Sequence, residues 1–265
     1  MQLTEKKLLG RTGLQVSRIG LASGYGIPAA AVKKAFDAYG INLFFWRSRH
    51  CPEMGAALKD LIRTGRDRVV VSLQSYDHSG LFIPRMVHKR LRQLATDHID
   101  ILSLGWYNYF PKRVVKTALR LKQEGKIRFI ALSGHNRKLF GRLARDPACP
   151  VDVFMFRYNA VHRGAEQDIF PFVPDRNPPG MTAYTALCWQ QLLDPKNMPP
   201  GERPLTPAEC YRFVLSSPHV DLCYSAPSTL AQMEAGLQAL AQGPLSGEEL
   251  ARATLIGDYL YKRKR

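Results

Sequence analysis

Eight short apolar runs, each of strand length, alternate with amphipathic stretches of helical length along this 265-residue chain. Strands that are joined by helices run parallel, because a helical crossover returns the chain to the same end of the sheet. Eight such units in about 250 residues are the number that closes a parallel barrel. The predicted strands are residues 18–22, 42–45, 69–74, 101–104, 129–133, 153–158, 182–185 and 220–224.

The intervening stretches repeat apolar residues at three- and four-residue spacing, and several begin with Pro, which favours the first turn of a helix. These patterns predict an α/β protein with one (β/α)8 TIM-barrel domain over residues 1–265. Residues 247–265 are predicted to form a C-terminal helix and a basic tail. The other predicted helices are residues 28–38, 52–62, 84–94, 112–123, 137–144, 167–172, 207–216 and 230–241.

The composition indicates in which compartment of the cell the protein is expected. Hydrophobic residues make up 45% of the chain, yet no run reaches the roughly 20 apolar residues that a membrane helix needs. The first residues carry charge and no apolar segment of a secretory signal. The 5 cysteines are scattered and never form a CxxC spacing, which favours free thiols over disulfides or zinc. We therefore expect a cytoplasmic protein with no metal site and no membrane contact.

The net charge of +16 comes from 38 Lys and Arg residues against 22 Asp and Glu residues. A basic surface attracts nucleic acid, anionic membranes or acidic proteins. Here the basic residues are spread over the predicted helices, and only residues 262–265 form a dense run. No nucleic-acid-binding motif accompanies the charge. Solubility is the preferred interpretation, nucleic-acid binding is disfavoured, and a protein partner stays open.

Several segments carry a family resemblance in the correct order. They are LGRTGLQVSRIGLAS, GINLFFW followed by MGAAL, RQLATDHIDILSL, GKIRFIALS, FRYNAVHR and GMTAYTAL. Together they resemble the aldo-keto reductase superfamily from about residue 9 to about residue 240. The resemblance implies an aldo-keto-reductase-type barrel and, in an ordinary member, hydride transfer from NADP(H) to a carbonyl group.

The resemblance breaks at the catalytic tetrad. Where the family has Asp, Tyr, Lys and His, this sequence has Phe45, His50, Gln74 and Gly105. In the family the Tyr donates a proton to the carbonyl oxygen, Lys and Asp tune its pKa, and His orients the substrate. Such general acid catalysis is worth roughly a hundred- to ten-thousand-fold in rate. Among the four replacements, only His50 offers a titratable proton. We therefore expect a divergent member that lacks the standard tetrad.

Several positions that bind the cofactor in the family also carry different residues in this sequence. Ser133 and Tyr184 match the family's contact with the nicotinamide amide and its stacking aromatic residue. Ser228 stands where an Arg usually holds the 2′-phosphate, so a charge-assisted phosphate contact is missing. The cofactor stays open: NADP(H) is one candidate, and tight NADP(H) binding is not expected. The other replaced positions are Gly134, Met155 and Gly236.

A different set of side chains is predicted to surround the mouth of the barrel. Because strand side chains alternate, residues two positions beyond a replaced catalytic residue point to the same mouth. The predicted catalytic residues are His50, Gln74, Tyr76, Tyr107 and His135. The predicted ligand-binding residues are Trp46, Arg47, Trp106, Arg157 and Asn159. Paired Arg and His suit an anionic small molecule, and the aromatic residues suit a flat one.

These residues also have structural interpretations. His135 can cap a helix together with Asn136, because Asn is a favoured N-cap residue. Tyr76 and Tyr107 can be packing residues, and an Arg at a barrel rim is often simply solvated.

Three functions follow from the sequence. The first is non-redox chemistry of the isomerase, lyase or cyclase type on an anionic or aromatic small molecule. The second is a non-catalytic binding or regulatory protein, because potassium-channel β-subunits share the family's fold. The third is an NAD(P)H-dependent carbonyl reductase with His50 as an unusual proton donor. The sequence favours the first and leaves the other two open.

Overall fold

The computed structural model describes residues 2–47 and 51–263. Eight parallel strands close a barrel in the order β10-β3-β4-β5-β6-β7-β8-β9, which confirms the predicted single-domain (β/α)8 fold. A short antiparallel hairpin precedes the barrel and consists of β1 (Lys7–Leu8) and β2 (Gln15–Val16). The barrel strands are β3 (Ile19–Ala22), β4 (Leu43–Arg47), β5 (Val70–Ser75), β6 (Ile99–Leu104), β7 (Ile127–Ser133), β8 (Val153–Arg157), β9 (Gly180–Tyr184) and β10 (Leu222–Ser225).

Helices surround the barrel, and their ends agree with local sequence signals. Thr206 and Glu209 form a reciprocal capping box at the start of one helix, and Asn136 caps another by accepting a hydrogen bond from the Leu139 backbone N–H. The helices are α1 (Ala29–Tyr39), α2 (Pro52–Gly65), α3 (Ile83–Leu94), α4 (Lys112–Gln123), α5 (Arg137–Ala144), α6 (Ala165–Asp168), α7 (Pro207–Ser216), α8 (Leu230–Gln242) and α9 (Gly247–Arg263).

The predicted helix over residues 167–172 differs from the structure. The α-helix α6 ends at Asp168, and a 3-10 turn, Phe170–Phe172, follows it. Pro171 is the physical reason, because it has no N–H to donate and an α-helix through it would lose a backbone hydrogen bond. The chain here passes from the barrel mouth to the outer layer in two short pieces.

Two apolar layers stabilise the barrel. One layer lies between strands and helices and includes Phe44, Leu73 and Phe154. The other fills the barrel interior and includes Phe45 and Tyr224, whose ring centroids lie 5.0 Å apart. The hairpin closes the N-terminal end, because Leu9, Leu14 and Val16 are buried in the same interior cluster. The functional groups must therefore lie at the opposite, C-terminal end.

A ring of polar side chains joins the strands at the N-terminal end. One side chain at the start of each of β4, β6, β8 and β10 accepts a hydrogen bond from the backbone of an earlier part of the barrel. Asn42, Asp152 and Asp221 come directly before their strands, and Asp100 is the second residue of β6. We call these four residues the N-terminal ring. The four bonds, each 2.8 Å long, are Ser17 N to Asn42 Oδ1, Val71 N to Asp100 Oδ2, Ile130 N to Asp152 Oδ2, and Met181 N to Asp221 Oδ2.

Asp100 is the most heavily bonded member of this ring. Its side chain is 1% exposed and lies 2.8 Å from Arg66 Nη2 and 3.2 Å from Arg128 Nη1. Burial by itself raises the pKa of Asp100, but hydrogen bonds from His98, Arg66 and the Val71 backbone outweigh it and hold the pKa below its ordinary value. Asp100 is therefore ionised in the folded barrel at neutral pH.

The C-terminal helix packs closely on the barrel. A Cβ on Gly257 of α9 would collide with the Ala160 carbonyl oxygen, so the two backbones touch. All five cysteines are free and buried. Within residues 2–47 and 51–263, no helix combines the length and apolar character that crossing a membrane requires.

We expect the Asp100→Asn substitution to lower the free energy of unfolding by about 1–3 kcal/mol at neutral pH, because charge-assisted hydrogen bonds are lost. The folded-state pKa of Asp100 is lowered, so its contribution is present above the unfolded-state pKa and is lost as pH falls through the folded-state value. Urea denaturation at about pH 7 and about pH 3 measures both effects.

The matched control is Asp60→Asn, because Asp60 pairs with Arg63 across 4.0 Å on the exposed face of α2. Such exposed pairs contribute about 0–1 kcal/mol. Equal stability losses in the two variants would contradict the structural role of Asp100.

Candidate functional site at the C-terminal mouth

The loops after the barrel strands carry most of the large aromatic side chains that reach solvent. Barrel enzymes bind their ligands at this end, where the strand-to-helix loops meet. We call these residues the aromatic rim, and each is between 53% and 68% exposed. The aromatic rim consists of Tyr25, Phe82, Trp106, Tyr109 and Trp189.

Three polar side chains meet at the ends of β7, β8 and β9. His135 Nδ1 lies 3.3 Å from Arg157 Nη2 and 3.2 Å from the Tyr184 hydroxyl. The alternation of strand side chains places Arg157 and Tyr184 at the mouth, because each ends its strand on the interior side. The structure therefore brings together three residues that the sequence predicted separately.

This arrangement determines the protonation of His135. A guanidinium group can only donate hydrogen bonds, so Nδ1 is the acceptor and a neutral ring carries its proton on Nε2. Burial and the charge of Arg157 both lower the pKa of His135. At neutral pH the imidazole is therefore uncharged and presents an Nε2–H donor.

Arg157 is held in place by an aromatic residue. Its guanidinium carbon lies 4.8 Å from the ring centroid of Trp189, and its buried Nε has no hydrogen-bond partner among the described residues. Trp189 lies in a turn where Cys188, Trp189 and Gln190 all have positive φ values, of 49°, 54° and 67°. Non-glycine residues adopt this conformation at a cost and mostly where function or packing requires it.

Trp189 is not among the site residues that were predicted from the sequence. The signal was available only indirectly, as an aromatic residue in the loop after the seventh predicted strand. Sequence alone does not reveal the left-handed turn, because none of residues 188–190 is glycine.

A second cation lies across the mouth. Arg47 ends β4 and its guanidinium carbon lies 5.5 Å from the ring centroid of Tyr76, which in turn lies 4.9 Å from the Trp106 ring. Among the described residues, neither Arg47 nor Arg157 forms an ion pair with a carboxylate. The described part of the mouth therefore carries two cations that no carboxylate neutralises.

Gln74 lies below Tyr76 and is almost fully buried, with 1% of its surface exposed. Its Nε2 donates a hydrogen bond to the Ser75 carbonyl oxygen at 3.0 Å. A Cβ on Gly105 would collide with this Nε2. The predicted site residue Gln74 thus fills space beside Gly105 and does not reach the open mouth.

Two other predicted residues do not face the mouth. Trp46 lies on the outer side of β4, where its indole packs against Gly55 of α2. The guanidinium carbon of Arg90 lies 4.6 Å from the centroid of the indole ring. Arg47, the next residue, points to the mouth, and strand alternation sends adjacent side chains to opposite faces. Tyr107 is 1% exposed, stacks on His78, and donates a hydrogen bond to the Asp77 carbonyl oxygen at 3.3 Å. Burial raises its pKa far above the ordinary value.

The side chains of Asn159 and Ser133 contact other parts of the protein and are not open to a ligand. The fully buried Asn159 accepts hydrogen bonds from the Val161 and His162 backbone and donates one to the Thr185 carbonyl oxygen at 2.7 Å. Ser133 is 4% exposed, and its hydroxyl lies 3.4 Å from the Leu104 carbonyl oxygen. Asn159 therefore fixes the loop after β8 and does not line the mouth.

The prediction for His50 falls outside the described residues. Within residues 2–47 and 51–263, no group of three or more His, Cys, Asp or Glu side chains is arranged to hold a metal ion. A cavity of about 680 Å³ opens elsewhere, between Tyr158, Phe170, Phe213 and Leu250 of the outer layer. It is distinct from the mouth, where the polar groups converge.

The strands close a (β/α)8 barrel, and its polar side chains converge at the C-terminal mouth. The sequence model of the aldo/keto reductase family matches residues 29–207, and the chain belongs to this family.

Similar proteins agree with the family assignment. L-galactose dehydrogenase of Arabidopsis thaliana is 28% identical over 234 residues, which cover 78% of this chain and 72% of that protein. The aldo-keto reductase AKR11C1 of Bacillus halodurans has the same fold in its apo form, with a TM-score of 0.74, 19% identity and coverage of 95% of both chains. Its holo form has a TM-score of 0.76 and 20% identity over 95% of this chain and 96% of that chain.

These relatives overturn the favoured functional prediction. The expectation of isomerase, lyase or cyclase chemistry is wrong, because the family and its named relatives are reductases and a dehydrogenase. That expectation rested on the residues at the four tetrad positions. The tetrad assists proton transfer and orients the substrate, whereas hydride transfer itself requires a bound cofactor and a carbonyl held close to it.

We expect the Arg157→Met substitution to raise the pKa of His135, because it removes a positive charge that disfavours the imidazolium form. Histidine ring signals in an NMR pH titration measure this shift. Arg157→Lys is the matched control, because it keeps a positive charge near the ring. An unchanged His135 pKa in the Met variant would contradict the contact between the two residues.

Proposed function

We propose that this protein is an NAD(P)H-dependent oxidoreductase that reduces the carbonyl group of an anionic, flat small molecule. The observation that supports it most is the mouth itself, where Tyr184, neutral His135 and Arg157 meet in a chain of the aldo/keto reductase family. In the named relatives the activity is that of a dehydrogenase or a reductase. The standard tetrad is replaced in this proposal, so the proton must come from another group.

The mouth suits the nicotinamide end of a dinucleotide. Tyr184 is half-buried at the end of β9, and its hydroxyl is fixed by His135, so its ring is held as a stacking surface. Arg47 extends beside Gly24 and Ala226, near the ends of β3 and β10, where a cation can contact a diphosphate. When bound, the reduced nicotinamide supplies the hydride.

The start of α8 favours NADH over NADPH. Both the Ser228 backbone N–H and its hydroxyl lie 2.9 Å from Gln232 Oε1, so the side chain of Gln232 satisfies these donors. The first turn of α8 contains no Lys or Arg. A 2′-phosphate at this position would therefore meet no cation and would displace an existing hydrogen bond.

The charge and the aromatic surfaces of the mouth support the proposed substrate class. Arg157 has a buried Nε with no hydrogen-bond partner among the described residues and stacks on Trp189, so it suits a carboxylate close to an aromatic group. Trp106 is 61% exposed on the other side and offers a second flat surface. The neutral His135 then offers its Nε2–H as a hydrogen-bond donor for the carbonyl oxygen.

Calorimetric and fluorescence titrations with NADH and NADPH test cofactor binding directly. We expect NADH to bind more tightly than NADPH. The Ser228→Arg variant should increase NADPH affinity about tenfold, which corresponds to about 1.4 kcal/mol, and leave NADH affinity unchanged. Absence of binding of either cofactor at millimolar concentration would exclude the proposed function.

Phenylglyoxylate and its methyl ester are matched probes for the substrate class, because they share one ketone and differ in charge. We expect NADH-dependent reduction of phenylglyoxylate to have a kcat/KM at least tenfold above that of the ester, through a charge-assisted contact with Arg157. The Arg157→Met variant should lose most of this discrimination, and Arg157→Lys should retain part of it. Equal rates for acid and ester in the wild-type protein would contradict the role of Arg157.

A further inference from the structure

Gly105 stands at the end of β6, where the sequence resemblance to the family leads one to expect a catalytic His. Gly105 follows β6 on its interior side and has no side chain to occupy the mouth. A Cβ at this position would lie 2.8 Å from two carbon atoms of the Tyr76 ring and would collide with Gln74 Nε2. Tyr76 therefore occupies the place that a side chain of residue 105 would take.

The Tyr76 ring is packed against two neighbours and stays partly exposed to solvent. Its ring is only partly exposed, with the Trp106 ring on one side and the Arg47 guanidinium 5.5 Å from its centroid on another. The Trp106 backbone has a φ of 61°, so the stacking partner itself is fixed in an uncommon conformation. Two neighbours thus orient the phenol ring.

The surroundings of Tyr76 suit a hydroxyl that donates its proton during the reaction. Burial raises the pKa of Tyr76 above its ordinary value, and the positive charge of Arg47 acts in the opposite direction. The hydroxyl is therefore protonated at neutral pH, and a cation lies nearby to stabilise the phenolate after proton loss.

Five other tyrosines of the described chain are buried or already hydrogen-bonded. The Tyr107 hydroxyl donates a hydrogen bond to the Asp77 carbonyl oxygen. The hydroxyls of Tyr158 and Tyr211 donate hydrogen bonds to the side chains of Glu166 and Ser225. Tyr224 lies inside the barrel with 7% of its surface exposed. Tyr184 is engaged with His135. Tyr76 is the tyrosine at the mouth whose hydroxyl has a cation, and no described acceptor, beside it.

We propose that Tyr76 is the proton donor of this barrel and that Arg47 is a positioning residue that stabilises the Tyr76 phenolate. This assignment rests on the proposed reductase function. As hydride reaches the carbonyl carbon, the Tyr76 O–H bond breaks and its proton forms the O–H bond of the product alcohol. The carbonyl compound is reduced, the nicotinamide is oxidised, and the phenolate recovers its proton from solvent.

The decisive variant is Tyr76→Phe, which removes one hydroxyl and keeps the ring between Trp106 and Arg47. We expect kcat/KM for phenylglyoxylate to fall about a hundredfold or more, the usual contribution of general acid catalysis. NADH affinity, measured by fluorescence titration, should stay unchanged because the ring remains. Tyr39→Phe is the matched control, since Tyr39 lies on α1 and its hydroxyl contacts Glu234 of α8.

The role of Arg47 is tested by the pH dependence of the reaction. Because Arg47 lowers the Tyr76 pKa, Arg47→Met should raise it, so the alkaline decline of kcat/KM should move to higher pH while the rate falls. Arg47→Lys should keep the decline near its wild-type position. An ultraviolet titration of tyrosinate, in which Tyr76→Phe identifies the Tyr76 signal, gives the same pKa without turnover.

The outcomes separate this inference from the function on which it rests. Loss of reduction in Tyr76→Phe with normal NADH binding, together with the alkaline shift in Arg47→Met, supports it. Wild-type rates in Tyr76→Phe overturn it, most clearly if His50→Gln abolishes reduction. If the wild-type protein binds no nicotinamide cofactor and reduces neither probe, the proposed function fails, and the assignment of Tyr76 fails with it.

Discussion

The hydrogen bonds of the N-terminal ring are the constraint on which the rest of the barrel depends. Asn42, Asp100, Asp152 and Asp221 each connect one strand to the segment before it, so they fix strand register at four points. Register in a closed barrel determines which side chains point inward at the other end. The meeting of Arg157, His135 and Tyr184 at the mouth is therefore a consequence of contacts made at the opposite end.

The members of this ring differ in their electrostatics. Asp100 is surrounded by Arg66, Arg128 and His98, and its pKa is lowered. Asp221 lies beside Lys7 and Arg18, yet its burial outweighs these cations and raises its pKa. One ring thus contains a carboxylate that the fold stabilises in ionised form and another whose ionisation is opposed by burial. Barrel geometry requires an acceptor at each position, not a charge, as Asn42 demonstrates.

Much of the fold could be predicted from periodicity, because strand and helix patterns alternate eight times and short connections leave few topologies. The mouth could be predicted only in part. Alternation correctly placed Arg47 and Arg157 at strand ends, but it does not extend into loops, where Tyr107 turns inward and stacks on His78. The functional error had another cause: residue identities at the four tetrad positions concern proton transfer, and they do not decide whether hydride transfer takes place.

The crowding around Gly105 couples three positions of the barrel mouth. A side chain at position 105 would need the space that Gln74 Nε2 and the Tyr76 ring occupy. Gln74 is buried and bonded to the Ser75 carbonyl oxygen, so moving it costs a hydrogen bond. Substitutions at positions 74, 76 and 105 should therefore have non-additive effects on stability, because each changes the space that is open to the others.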